Sequence, residues 1–389
     1  MLTILRLHFF FINLITFVSL VATYPFIQYM DDINRITLLL LLLNNLFFAS
    51  FFFKYLKLNI FIIMLIIFVQ LSLVIGIYNF GISDQTITDY LMLFVFLFKV
   101  FVFRELINNK IYYLETQKFL RQFMFVALSA SILATILFYF RPAGAYLGIT
   151  PNVSLYLSYS LSNIKIMSLL LLGVLIFLSG KRAIIVSTIL ASIFSYFWTR
   201  SESQTLIKKL FLPVAITLGL IIGTPFLIET RAFDKILYSI GNFDFLSRDF
   251  FYIILAQRYF EIESITSIMT FFDWIIGKGM GFNYILSGDG ILWSLNHNNA
   301  HFTPISILSK YGIFIFISIS YFFIKAFLSK KIPLKIRMIF KIYLIIFLIE
   351  SIFSYLIFND RILPIILGML LANNFNFDVN ENNANTFSK

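Results

Sequence analysis

The sequence has no cysteine among its 389 residues. Disulfides, thiol nucleophiles and cysteine metal sites are therefore excluded. Histidine is nearly as scarce, with three in the chain. His297 and His301 lack nearby cysteine or a convincing carboxylate set, so no metal is expected. The short alternating strands of a transmembrane β-barrel are missing. No tandem repeat is present. No small-residue cleavage site follows the apolar run after Arg6, so the first span is expected to be retained.

What the chain has in abundance is apolar length. Its hydrophobic fraction is 60% and its mean hydropathy +0.91, more than a soluble fold of this size needs. Continuous apolar runs of about 20 residues recur, which is the mark of bilayer-spanning helices. The expected class is all-α: a polytopic integral membrane bundle forming a single transmembrane domain over 1–389. Windows of ~20 residues place spans at 9–28, 36–53, 59–78, 89–103, 119–140, 153–164, 166–179, 183–198, 210–228, 303–327, 339–358 and 362–373, about twelve in all.

The formal net charge is +11. The basic residues sit in short loops between spans, so the charge sets orientation and no nucleic-acid partner is expected. Lys54 and Lys57, Arg104 to Arg121, Arg200 to Lys209, and Lys330 to Arg337 all fall on one side, which is expected to be the cytoplasm. Both termini are then expected in the cytoplasm. The Ser-rich stretch 153–164 is short, but without it the basic loop 329–337 would lie outside. The other side receives Asp31, Asp32, Asp84, Asn152 and the large periplasmic loop 229–302. Within that loop, Tyr252, Leu255, Tyr259 and Ile262 recur at helical spacing among Gln257, Arg258, Glu261 and Glu263. An amphipathic helix within 249–275, on the membrane surface or capping the bundle, is expected. The polar, Asn-rich tail 374–389 is expected to be disordered.

Candidate chemistry collects at the periplasmic mouth. Arg141, Arg182, Arg231 and Arg258 fall near outer helix ends, with Arg248 a fifth. Guanidinium forks bind phosphate oxygens in bidentate fashion. The competing reading pairs these arginines with Glu229, Asp234, Glu261 or lipid head groups. His301 stands at the water-facing start of a span, with an ordinary pKa suited to proton transfer. His297 is the alternative base. Thr303-Pro304 suits a helix N-terminus, with Thr near the N-cap. The glycines Gly277, Gly279 and Gly281 have no βαβ unit around them, so they are read as shaping a loop and not as a nucleotide site. Glu350 sits mid-span, which marks it as a functional suspect or the partner of a base on a neighbouring helix. Lys99, near the cytoplasmic end of its span, is expected to snorkel.

Four local features, in order, resemble the bacterial O-antigen polymerase and ligase superfamily. They are Arg141-Pro-Ala-Gly with Pro151-Asn152; Ser179-Gly180-Lys181-Arg182; Arg258 with Gly277-x-Gly279; and Ala300-His301 with Tyr311-Gly312. Lys181 stands where the family has Ser, and Phe302 where Asn is common. The resemblance covers about 140–315. It implies glycan transfer from undecaprenyl diphosphate at the periplasmic face, with no cofactor. His301 would be the base, Arg141, Arg182, Arg231 and Arg258 would bind the diphosphate, and His297 and Asn298 would join them in binding substrate. A polymerase would add the glycan to another lipid-linked repeat unit, and a ligase to lipid A core. Implied partners are the lipid-linked oligosaccharide, membrane lipids, a chain-length regulator and a flippase. The competing class is a flippase for the same lipid, which would carry basic residues deeper in its spans.

Overall fold

The computed structural model describes residues 1–23, 30–139, 153–163, 165–178, 182–199, 257–285, 296–297, 300, 302–353, 357–358 and 360–372. The predicted span 210–228 and the tail 374–389 lie outside them. The described chain is mostly helical. Its first eight helices are α1 (Leu2–Thr23), α2 (Met30–Phe52), α3 (Ile60–Phe80), α4 (Asp84–Leu106), α5 (Lys110–Tyr139), α6 (Ser154–Asn163), α7 (Ile166–Leu178) and α8 (Arg182–Thr199). Further along come α9 (Gln257–Ile268), α10 (Phe271–Ile276), α11 (Thr303–Leu328), α12 (Leu334–Phe353) and α13 (Leu363–Leu371). Two-residue strands, β1 (Tyr284–Ile285) and β2 (Asn296–His297), pair antiparallel.

Six helices, α1 to α5 and α11, are long and apolar enough to cross a membrane. Their ends are set by local chemistry. Asn59 caps α3 by accepting the Ile62 N–H at 2.9 Å. Ser83 caps α4 by accepting the Thr86 N–H at 3.1 Å, and Asp84 places a negative charge in the first turn. The helices pack α1 on α2 and α5, α4 on α13, α12 on α6 and α8, and α11 on α3. A continuous apolar core runs through them, including Phe48, Phe103, Phe119, Phe340 and Phe347. A second, smaller core lies apart from it. Ile265, Phe282, Tyr284, Ala300 and Ile305 form its centre, with Trp274 and Phe302 packed against it. This cap is the described part of loop 229–302.

Four expectations change in detail. The helix expected within 249–275 is broken: α9 ends at Ile268 and α10 starts at Phe271, because Thr270 caps the new helix. Glu261, expected on its polar face, is buried under the cap. The span 303–327 is one stretch of sequence but two helical segments, since Gly312 has φ 77° and ψ 176°. Lys99 does not snorkel. It is 2% exposed.

The charged turn that opens the short helix α13 lies close to Lys99. The nine residues of α13 rise only ~13 Å, well under the ~30 Å of bilayer hydrocarbon, and lie against α4. The side chain of Asp360 starts it by accepting the Ile362 and Leu363 N–H groups at 2.9 and 2.6 Å. Arg361 donates to Ser19 Oγ on α1 at 3.0 Å. Lys99 feels the charges of both Asp360 and Arg361. At Gly368 an added Cβ would stand 2.7 Å from Phe103 Cβ and 2.8 Å from the Val100 carbonyl oxygen. Gly368→Val should therefore force α13 away from α4 and destabilise by about 1–3 kcal/mol. Thermal unfolding in detergent micelles would register this as a lower midpoint, and an unchanged midpoint would show that the contact yields freely.

Candidate functional site

The cap meets the bundle at a joint built from backbone. Helix α10 begins with a capping box: Asp273 N–H donates to Thr270 Oγ1 at 3.3 Å, and Thr270 N–H donates to Asp273 Oδ2 at 2.8 Å. It ends at Gly277, whose N–H donates to the Asp273 carbonyl at 2.8 Å. The next four N–H groups each find a partner in the bundle. Lys278 donates to the Ser309 carbonyl at 2.7 Å and Gly279 to the Lys310 carbonyl at 3.1 Å. Met280 donates to the Ser72 carbonyl at 3.2 Å and Gly281 to Asp89 Oδ2 at 2.9 Å. Asn79 on α3 returns a bond to the Lys278 carbonyl at 2.9 Å.

The break at Gly312 makes this possible. A helix that stops leaves its last carbonyls without intrahelical partners. Here the carbonyls of Ser309 and Lys310 accept from the loop instead, and Ser72 Oγ also donates to Lys310 at 3.0 Å. Gly277, Gly279 and Gly281 have φ of 81°, 96° and 86°. At Gly279 the requirement is strictest, since a Cβ there would collide with the Gly76 backbone of α3. A positive φ and a backbone collision together leave glycine alone able to occupy the position.

Behind the joint lies a buried ion pair. Lys310 Nζ donates to Asp89 Oδ1 and Oδ2 at 2.9 and 2.7 Å, with the two side chains 1% and 4% exposed. Gln85 Nε2 also donates to Asp89 Oδ1 at 2.9 Å. With Gly281 N–H, the carboxylate thus has donors on both oxygens. Sequence reasoning passed over this pair. The available signal was that Lys310 and Asp89 both fall inside predicted spans, where a charge needs a partner.

The predicted site residues fall unevenly. Arg141, Arg231, Arg248, Asn298 and His301 lie outside the described residues. Arg182 opens α8 and Arg258 lies in the first turn of α9, and their side chains lie outside what the structure describes. His297 pairs through its backbone with Tyr284 across β1 and β2. Ala300, beside His301, is 1% exposed in the cap core, and Phe302 packs there as well. The N-cap position of α11 falls on Phe302, without a side-chain cap, so Thr303 is already helical and Pro304 sits in the first turn. Glu350 accepts from Ser154 Oγ at 3.4 Å, linking α12 to α6. Among the described residues no three His, Asp or Glu gather as a metal site. Basic residues are also buried within spans, at Lys99, Lys310 and Lys341, which the expected concentration of charge at the mouth did not include.

Electrostatics in the cap follow burial. Burial, and then the charge of Glu261, pushes the Tyr284 phenol well above its usual value. Burial works to raise Asp273, but the Thr270 hydrogen bonds and the Lys278 ammonium at 3.4 Å hold it below the usual carboxylate range. No protein family, curated protein or solved structure matches this chain.

Two predictions follow the geometry. Lys310→Met leaves Asp89 buried and uncompensated, at a cost of about 3–5 kcal/mol. Adding Asp89→Asn, which keeps an acceptor for Gly281, should recover much of that loss. A double-mutant cycle on unfolding in mixed micelles measures it, and additive losses would show that the pair is uncoupled. The second concerns acid. Asp273 has a depressed folded pKa, so its stabilisation is complete above the ordinary carboxylate value and is lost as pH falls through the depressed one. Wild type should therefore exceed Asp273→Asn in thermal midpoint at neutral pH, with the gap closing as pH drops below the carboxylate range.

Proposed function

We propose that the chain is a surface-polysaccharide polymerase of the O-antigen type, joining undecaprenyl-diphosphate-linked repeat units at the periplasmic face of the inner membrane. The observation that carries this reading is the joint. Gly277-x-Gly279 and Tyr311-Gly312 belong to two separate motifs of the resemblance, and they pack as one unit where cap meets bundle. In this reading about twelve spans thread the membrane, loop 229–302 is periplasmic, and both termini are cytoplasmic. The clustering of Lys54, Lys57, Arg104, Lys330, Lys331, Lys335 and Arg337 at helix ends away from the cap supports that orientation.

The chemistry assigned to the site needs no metal and no nucleotide. The acceptor hydroxyl attacks the anomeric carbon of the donor glycan. A C–O bond forms, the bond to diphosphate breaks, and undecaprenyl diphosphate leaves. His301 takes the hydroxyl proton. The N-terminus of α11 two residues later disfavours imidazolium and so favours the neutral base. Arg141, Arg182, Arg231 and Arg258 neutralise the departing diphosphate, which is where charge develops. His297 and Asn298 contact the sugar.

The lipopolysaccharide ladder tests the reading. A deletion strain should keep core carrying one repeat unit and lose longer chains. Loss of every repeat from the core would indicate a ligase instead. His301→Ala should lower polymerisation by about 10²–10⁴-fold at matched protein level, while His297→Ala keeps measurable polymer. A full ladder from His301→Ala removes the base assignment. The buried Lys99, Lys310 and Lys341 favour a second reading, a flippase for the same lipid. That reading predicts lipid-linked repeats trapped on the cytoplasmic side in the deletion strain.

A further inference from the structure

At the end of the bundle away from the cap, α3, α4, α11 and α13 enclose a cleft of about 540 Å³. Its walls are aromatic: Phe61, Phe101, Tyr321 and Phe322. Phe322 meets Phe61 and Phe101 edge to face, with ring centroids 5.8 and 5.4 Å apart. Phe61 and Tyr321 are 39% and 46% exposed on two helices, α3 and α11, that are long and apolar enough to cross a membrane. Arg104 and Lys325 also line it. Both sit in the last turns of helices that start at the cap, so both lie at the same membrane interface.

The charge there is unbalanced. Arg104 donates to Glu105 Oε1 at 3.0 Å, and Lys57 pairs with Glu105 Oε2 at 2.8 Å. Lys325 stands over the Tyr321 ring at 5.3 Å. One carboxylate thus serves two cations, and among the described residues no acidic side chain lines the cleft itself. Two cations at an interface above a partly exposed aromatic wall match a ligand with an anionic head and an apolar tail. The volume is that of a small-molecule site. Basic pockets between spans recognise lipid phosphate through this combination.

We propose that this cleft binds an anionic phospholipid, its phosphate held between Arg104 and Lys325 and an acyl chain laid against Phe61, Phe101 and Phe322. The proposal does not depend on the reaction assigned to the cap. The probe is the delipidated full chain in neutral micelles, titrated with phosphatidylglycerol, phosphatidylethanolamine or inorganic phosphate, reading the thermal midpoint. Phosphatidylglycerol should raise the midpoint saturably, and the other two should not. Lys325→Gln removes one exposed cation and should weaken the phosphatidylglycerol response about tenfold, as expected for a lost charge-assisted contact. Ser318→Trp fills the cleft while leaving both cations in the sequence, and should abolish the response even if Lys325→Gln folds poorly. An equal shift from inorganic phosphate would make this a soluble-anion site. An unaltered phosphatidylglycerol response in Ser318→Trp would place the lipid elsewhere. Either outcome overturns the proposal.

Discussion

The arrangement of cap on bundle depends on one buried charge pair. Moving a carboxylate or an ammonium out of water costs several kcal/mol per ion, and attraction repays this only when the geometry is close and the remaining lone pairs are satisfied. Asp89 and Lys310 meet that condition. Two Lys310 contacts, the Gln85 amide and the Gly281 N–H occupy the carboxylate. The pair joins α4 to α11 inside the bundle, and the Gly281 bond makes the cap a participant. The loop thus supplies one of the contacts that compensate the buried carboxylate.

Around that pair the backbone does the rest. Gly312 ends the first segment of α11 at the position where its carbonyls face the loop. Gly279 and Gly76 bring two main chains together with no side chain between them. The result is a short bend and turn, 278–281, in which every N–H has an acceptor from the bundle. Buried backbone donors are rarely left unpaired, and none of these four is.

Much of this was legible from sequence, for reasons particular to each element. Apolar runs marked helices at eleven of the twelve expected places, and six of those described helices are long and apolar enough to cross a membrane, since hydropathy reports burial in lipid or protein alike. It could not say that Tyr311 and Ile313 lie on two separate segments, because one glycine in an apolar run reads the same whether the helix continues or breaks. For Lys99 the sequence shows a long flexible stem but not the neighbours it is buried among, which include Asp360 and Arg361. Glu261 looked polar and therefore exposed, yet the cap has a core of its own to enclose it. Asp89 and Lys310 are 221 residues apart, and no local pattern announces such a partner. The arginine and histidine candidates came from their places near expected helix ends and from motif order, signals about chemistry and not about where side chains stand.

The joint at Gly279 and Gly76 has a consequence for how such a chain tolerates change. Contacts made by side chains drift as those side chains are exchanged, because every new volume resets the spacing. Here the two elements touch through main-chain atoms, which are the same for all residues. The alignment of cap to bundle is therefore insulated from turnover in the surrounding apolar sequence, and a Phe-for-Leu exchange in the cap core can occur without moving the mouth. The same economy concentrates vulnerability: the freedom granted to many positions is withheld from a few glycines.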